Sequence, residues 1–444
     1  MSINNKEFPA ARAIKVAATL GLLLSAMPTI LRAQEQVLDV SQCVNMALKQ
    51  SPQAVSARTS LTVAGAGLQS SVSGILPRLG ASSSYEQSGP TATYDSFLNP
   101  VEGGKRENYR TSFNLNQSLV NLSQWAEIYG SYRSRQAAQS SYQQATALLV
   151  YSVKEAYYSL VKLQKAVEVA EASVKQSEEQ LKQARLMHQL GSLSQSDLLK
   201  IQVRLIQSRV DLLTAQRNKM AGQQYLANIL GLSGEVRVEA ELSFPDTLRQ
   251  LAVLDSLAEE TAEGKPSYLA AQRERSAQQA SLWSARLAKL PYLSFSYSYG
   301  YSDSLQFAGN DSWNAHDYWS ASLSLNWNIM DGGASWARVR QARALARQAE
   351  AKMHSARQEA YSEIKQAKLG MKTALETMSL VGDLQQQASE DYRLTSEKYR
   401  LGSASVLDLL TSQLTFNQAR QQATNALCDY YLAQARIDRA LGRW

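Results

Sequence analysis

The chain has 444 residues, of which 44% are hydrophobic and 19% are charged, and its formal net charge is +7. This composition is compatible with a folded protein of more than one structural unit. Four basic residues and one acidic residue lie in the first 33 positions, which have the pattern of a secretory signal. The rest of the chain then carries a net charge of only about +4, which gives no indication of a nucleic-acid partner.

Residues 1–33 are predicted to be this signal, because basic residues flank an apolar run from Val16 to Met27 that is too short to span a bilayer. No later apolar run reaches the ~18 residues of a transmembrane helix, so any membrane crossing must use β-strands. Export places Cys43 and Cys428 in an oxidising compartment. Two cysteines in so long a chain do not make a disulfide framework, and their pairing stays open.

The segment 34–245 is predicted to form the first of two structural units. A helix from about Gln42 to Ile75, strained near Pro52, opens this unit. Two strands of alternating apolar and polar residues and a long helical hairpin follow. The first helix of the hairpin would be about 100 Å long at 1.5 Å per residue. The strands and the hairpin are predicted near 79–88, 109–119 and 124–231.

The segment 246–444 is predicted to repeat this plan. Its opening helix is expected from about Leu251 to Leu290, and Pro291 then matches Pro77 of the first unit. The return helix and the opening helix of a unit together equal the long helix in length, which places the strands at one end and both hairpin tips at the other. The strands and the hairpin of this unit are predicted near 292–302, 318–329 and 335–442.

The two hairpin tips are near copies of each other. The stretch from His188 to Leu199 recurs as Tyr399 to Leu410, 211 residues later, and both contain Leu-Gly-Ser followed by Asp-Leu-Leu. Gly191 and Gly402 fit the left-handed position that ends a helix, and a nearby serine fits the N-cap of the next helix. The repeat therefore indicates a tandem duplication of about half the chain.

The four predicted strands cannot close a barrel within one chain. They are about 10 residues long and alternate strictly, as transmembrane β-strands do. Open sheet edges are not tolerated in hydrocarbon, so several chains must share one barrel, although the pattern does not select their number. The aromatic residues of the strands would form its interfacial girdle, or alternatively the packed face of a soluble sheet. They are Tyr109, Tyr301, Trp319 and Trp327.

Nearly all of the chain after the signal resembles the TolC family of outer-membrane efflux and secretion channels. The resemblance rests on the two-fold repeat, the helix–Leu-Pro–strand junctions at Pro77 and Pro291, and the tip from Tyr399 to Asp408. It implies a mainly α fold with a small β part, in which tandem antiparallel coiled-coil helices and four transmembrane strands per chain build a homotrimeric α/β-barrel. It places the channel in the lipid of a Gram-negative outer membrane, extending into the periplasm.

The resemblance also implies partners and a gate. The partners are a periplasmic adaptor protein and an inner-membrane transporter, either proton-driven or ATP-driven. At the tip, Tyr399 matches a tyrosine that hydrogen-bonds an aspartate of the other hairpin, here Asp197. Asp408 matches the first of two acidic residues lining the constriction. Ala404 stands in place of a gate arginine and Thr411 in place of the second acidic residue, so the latch is expected to lack a charge and the tip to attract cations more weakly.

Other interpretations of the tip and the chain stay open at this point. Asp197 and Asp408 could be first-turn residues favoured by the helix dipole, and Tyr399 a packing residue. No catalytic, cofactor or metal site is predicted, because the three histidines lie on different segments and no phosphate loop or nucleophile elbow is present. The competing hypothesis is a secreted periplasmic coiled-coil scaffold or adhesin without a pore. That hypothesis does not explain strands with hydroxyl-lined faces at matched positions of both units.

Overall fold

The computed structural model describes residues 37–89, 92–94, 100–102, 106–232, 234, 236–239, 262–306 and 314–442. The predicted signal and the predicted helix start at Leu251 lie outside the described residues. In chain order, the elements are β1 (Val37–Leu38), α1 (Val40–Gln50), α2 (Pro52–Ser73), β2 (Arg78–Ser88), β3 (Ala92–Tyr94), β4 (Pro100–Glu102), β5 (Arg106–Val120), α3 (Leu122–Gln189), α4 (Gln195–Leu230), β6 (Arg237–Val238), α5 (Pro266–Leu287), β7 (Tyr292–Gln306), β8 (Asn314–Asn326), α6 (Ala334–Arg400) and α7 (Val406–Leu441).

The opening helix of the first unit is divided into α1 and α2, where the sequence predicted one strained helix. Ser51 is extended, with φ −65° and ψ 145°, and its Oγ accepts a hydrogen bond from the Ala54 backbone N–H. Pro52 restricts the preceding residue to extended conformations and suits the first position of a helix. In the second unit a 3₁₀ turn over Ala262–Gly264 precedes α5, which begins at Pro266, so the predicted continuous helix to Leu290 is wrong there.

Each long helix packs against two shorter helices that meet end to end, as the sequence predicted: α4 meets α2 in the first unit, and α7 meets α5 in the second. α3 has 68 residues and packs against α4 in its lower half and against α2 near the sheet. The stack is tight because Gly231 and Gly442 end the return helices with φ of 72° and 70°. A Cβ on Gly442 would lie 3.1 Å from Pro266 Cδ, and one on Gly231 would lie 3.5 Å from Pro52 Cδ.

The main core lies where the first unit's stack meets the second unit's return helix. Apolar residues of α1, α3 and α4 meet Cys428 of α7 in this cluster, whose largest fully buried side chains include Tyr157 and Leu160. Cys43 and Cys428 are both free and fully buried, so they are not bridged to each other. None of the helices in the described part of the chain is long and apolar enough to span a membrane.

Four strands form one antiparallel sheet in the order β2-β5-β7-β8, at the end of the molecule opposite the hairpin tips. Directly opposite residues share a face, so the register aligns Ala81, Phe113, Tyr299 and Trp319 in one row and Ser82, Ser112, Gly300 and Tyr318 in the next. The sheet therefore has an apolar face and a hydroxyl-rich face. Gly300 is required because the Tyr318 ring lies across it, where a side chain would clash.

The last strand is shifted relative to its predicted bounds. β8 ends at Asn326, so Trp327 lies just beyond it, although it was predicted to be a strand residue. The Trp327 indole instead donates a hydrogen bond of 3.0 Å to the Lys289 backbone oxygen after α5. Trp327 thus connects the end of the sheet to the helices below it.

Candidate functional site: the hairpin tips

The two tips use the same backbone turn. Gly191 and Gly402 are left-handed, with φ of 77° and 75°. After α3, the Ser192 N–H donates to Met187 O at 2.9 Å, and the Gly191 N–H donates to His188 O at 3.0 Å. The turn after α6 makes the matching bonds, from Ser403 to Lys398 and from Gly402 to Tyr399. These two hydrogen bonds satisfy carbonyl groups at the helix C-terminus that would otherwise lack a partner, and they fix the conformation of each hairpin tip.

Asp408 caps the helix that follows the second tip. The Ser405 Oγ accepts from the Asp408 N–H at 3.1 Å, and Asp408 Oδ2 accepts from the Ser405 N–H at 3.1 Å. The Ser405 hydroxyl also donates to Asp408 Oδ2 at 2.8 Å. These hydrogen bonds lower the pKa of Asp408 below its ordinary value, and the residue is exposed. Asp408 is therefore an ionised, solvent-facing carboxylate that is held by its own capping box.

Asp197 occupies the equivalent position at the first tip but has a cationic neighbour. Its Oδ2 accepts from the Ser194 hydroxyl at 2.8 Å, and its Oδ1 lies 2.9 Å from Lys200 Nζ. The contact with Lys200, followed by that with Ser194, lowers the pKa of Asp197. Thr411 stands in place of Lys200 in the second unit, and its hydroxyl donates to the Leu407 backbone oxygen at 2.8 Å. Within the described residues, Asp408 forms no salt bridge, so its carboxylate lacks the cationic partner that Asp197 has.

Tyr399 lies in the core between the two hairpins. Only 7% of it is exposed, and Ala404 packs half-buried against the same cluster. The Tyr399 hydroxyl has no hydrogen-bond partner among the described residues, so the expected bond to Asp197 is absent. Burial raises the pKa of Tyr399, and the nearby charge of Asp197 raises it further. The other buried members of this cluster are Leu181, Ala184, Leu198, Ile201, Leu205, Val406 and Leu409.

The structure adds polar residues to this core that the sequence analysis missed. Gln413 is fully buried, and neither atom of its amide has a hydrogen-bond partner among the described residues. Nearby in the chain, the Tyr392 ring stacks on Phe416 with 5.5 Å between centroids, and its hydroxyl accepts a hydrogen bond from Gln176. The sequence did indicate that Gln413 is buried, since it lies four residues after the core residue Leu409 on the same helix face.

Comparison with known proteins identifies the family of this chain. The family described as "Outer membrane efflux protein" matches residues 43–232 and 257–443. Outer membrane protein TolC of Vibrio cholerae is 21% identical over 435 residues, covering 96% of this chain and 94% of the relative.

Two solved structures share the fold across nearly the whole chain. The CmeC outer membrane channel of Campylobacter jejuni has a TM-score of 0.77 at 17% identity, covering 93% of this chain and 90% of that one. The outer membrane protein VceC of Vibrio cholerae has a TM-score of 0.75 at 17% identity, covering 91% of this chain and 96% of that one. Because the family model matches most of its length, the chain belongs to the outer membrane efflux protein family.

Proposed function

We propose that three copies of this chain form the exit duct of a tripartite efflux or type I secretion system. The observation that carries this proposal is the four-stranded sheet, because among the described strands β2 and β8 each have a partner on only one side. An open edge in hydrocarbon leaves backbone groups without hydrogen bonds. Joining β8 of one chain to β2 of the next closes a barrel, and three chains supply 12 strands.

An exposed apolar stripe on α4 supports the same assembly. Val203, Ile206, Val210 and Leu213 step by three and four residues, and each is at least half exposed. Such spacing puts them on one helix face. Within the chain, α3 of the first unit packs against α7 of the second. By the internal repeat, α6 of one chain takes the α4 stripe of its neighbour.

The contact between α3 and α7 is the junction between the two units within one chain, and it includes polar contacts between their side chains. Lys162 Nζ lies 2.5 Å from Asp429 Oδ1, and Lys154 Nζ lies 3.4 Å from Asp438 Oδ2. The Arg436 Nε donates to the Tyr151 hydroxyl at 2.9 Å. These contacts are partly exposed, so each adds little to stability and mainly fixes the register of the two helices.

The tips form the gate of this duct, and the chain acts as a passive conduit. Asp408 sets the preference for cations at the constriction, and the packing around Tyr399 sets the population of the closed state. Leu190 and Leu401 are 74% and 82% exposed at the two tips. They supply apolar surface for a periplasmic adaptor, which links the duct to an inner-membrane transporter. The family match favours this function over a scaffold or adhesin without a pore, and over an enzyme.

The gate assignment is tested by ion selectivity in planar bilayers. Reversal potentials in a KCl gradient are compared for the wild type, Asp408→Ala and Asp197→Ala. Both aspartates accept a hydrogen bond from the N-cap serine hydroxyl of their helix, but only Asp408 is assigned to the constriction. Asp408→Ala should reduce the preference for cations, whereas Asp197→Ala should leave it unchanged. Equal selectivity in all three proteins would remove Asp408 from the gate.

A further inference from the structure

The start of α6 carries a concentration of positive charge that neither the gate nor the helix explains. From Ala334 to Arg347 there are four arginines and no acidic residue. The equivalent start of α3, from Leu122 to Arg135, has two arginines and Glu127. The charge excess is therefore a feature of the second unit.

Three of these arginines share one face with a tryptophan. Trp336, Arg340, Arg343 and Arg347 step by four, three and four residues, and all are exposed. This spacing aligns them along the helix. We call this set the basic face. Arg338 lies on the other side of α6, where it pairs with Asp331 at 3.2 Å.

The basic face is continuous with the apolar face of the sheet. Lys289 Nζ lies 3.5 Å from the centre of the Trp336 ring, and the Lys289 backbone oxygen accepts the indole N–H of Trp327. Trp327 follows Leu325 by two residues and so continues the apolar side of β8. A second pair of this kind lies close by on α5, where Arg286 stands 5.2 Å from the Trp283 ring.

The spacing along α6 places Arg340 at the depth of a lipid headgroup layer and Arg343 just below it. Tryptophan favours the membrane–water interface. At 1.5 Å per residue, Arg340 and Arg343 lie about 6 and 10 Å below Trp336. The headgroup region of one leaflet is about 5–8 Å thick. A guanidinium group at this level can bind two phosphate oxygens at once through two parallel hydrogen bonds. The electrostatic field of an anionic surface extends over about 10 Å.

We propose that the basic face, together with Lys289, binds the phosphate groups of anionic phospholipid in the periplasmic leaflet of the outer membrane. This inference rests on the proposed function, because it requires the apolar sheet face to lie in the membrane. A trimer has three such sites, all contributed by second units. They fix the height of the duct relative to the bilayer.

The test uses the full chain reconstituted in phosphatidylcholine vesicles that contain a small fraction of spin-labelled phosphatidylglycerol or spin-labelled phosphatidylcholine. Electron paramagnetic resonance gives the fraction of each label held at the protein, and their ratio gives the preference for the anionic lipid. Arg340→Gln/Arg343→Gln removes two charges from the basic face. The matched control, Arg338→Gln/Lys352→Gln, removes two charges from the same helix on other faces.

The wild type should prefer phosphatidylglycerol at low salt. The preference should fall at least about threefold in the Arg340/Arg343 variant, since each basic residue near an anionic surface strengthens binding to that surface about fivefold. The control should keep the wild-type preference. Equal association of both lipids with the wild type would overturn the inference, and so would an equal loss of preference in the control. If the protein still conducts normally in either case, the proposed function remains intact. A chain that does not insert contradicts both.

The wild type alone provides a second measurement if the Arg340/Arg343 variant does not assemble. Raising the salt concentration to about 1 M shortens the screening length to about 3 Å and should abolish a preference that depends on charge. A preference that survives this salt concentration would contradict binding by the basic face.

Discussion

Tyr399 and Asp197 lie near enough for the charge of Asp197 to raise the pKa of Tyr399, yet the two residues are not hydrogen-bonded. Asp197 is held instead by Ser194 and Lys200. The buried hydroxyl of Tyr399 therefore destabilises the folded tip, since an unpaired buried polar group costs about 1–3 kcal/mol. In the described residues, the two hairpins are held together at the tip by apolar packing and not by a Tyr399–Asp197 hydrogen bond.

Tyr399→Phe should stabilise the tip by about 1 kcal/mol, because it removes this hydroxyl and keeps the ring. Tyr392→Phe is the matched control, since its hydroxyl accepts a hydrogen bond from Gln176 and its loss should destabilise the protein by a similar amount. Thermal unfolding in detergent measures both changes. Destabilisation by Tyr399→Phe would instead support a latch through its hydroxyl.

Asp408→Asn should reduce stability at neutral pH and lose its effect in acid. The capping hydrogen bonds lower the folded pKa of Asp408 below its ordinary value of 3.8. Its contribution is therefore complete above about pH 4 and is lost as the pH falls through the folded pKa. The difference in Tm between wild type and Asp408→Asn should shrink from pH 6 to pH 3. A constant difference would show that the ionised carboxylate does not act through the cap.

Gly402→Ala and Gly191→Ala should each destabilise the protein by about 1 kcal/mol, because L-residues other than glycine disfavour a left-handed backbone. No atom lies within 4 Å of a Cβ added at either position, so the penalty is conformational. Gly370→Ala, in the middle of α6 and equally unobstructed, is the control and should stabilise by about 0.5–1 kcal/mol. Unfolding by denaturant measures these opposite signs. A neutral Gly402→Ala would contradict the tip geometry.

Both thiols should be unreactive in the folded protein. Burial raises the pKa of Cys43 to about 12 and that of Cys428 to about 11, so almost no thiolate exists at pH 8. A disulfide-exchange reagent should therefore detect no thiol in the native state and two per chain after unfolding. Only one outcome fits a Cys43–Cys428 bridge, namely no thiol in either state without a reductant.

The repeated and alternating features of this fold were predictable from the sequence, because each depends on local spacing. Gly191 and Gly402 at the tips, the alternating faces of β7 and β8, and the stacked helices are of this kind. The end of β8 before Trp327 was not predictable from the sequence, since the apolar alternation continues past the last paired residue of the strand. The absent Tyr399–Asp197 bond also required the structure, because side-chain geometry there depends on how four helices pack.

The mass of the protein extracted from the outer-membrane fraction in mild detergent, measured by light scattering and corrected for bound detergent, tests the shared barrel most directly. We expect about three times the mass of one chain, found only in detergent, because the edges of β2 and β8 that are free among the described strands need neighbouring chains. A water-soluble monomer or dimer would contradict it, since its sheet edges would then be exposed to water and no barrel would be closed.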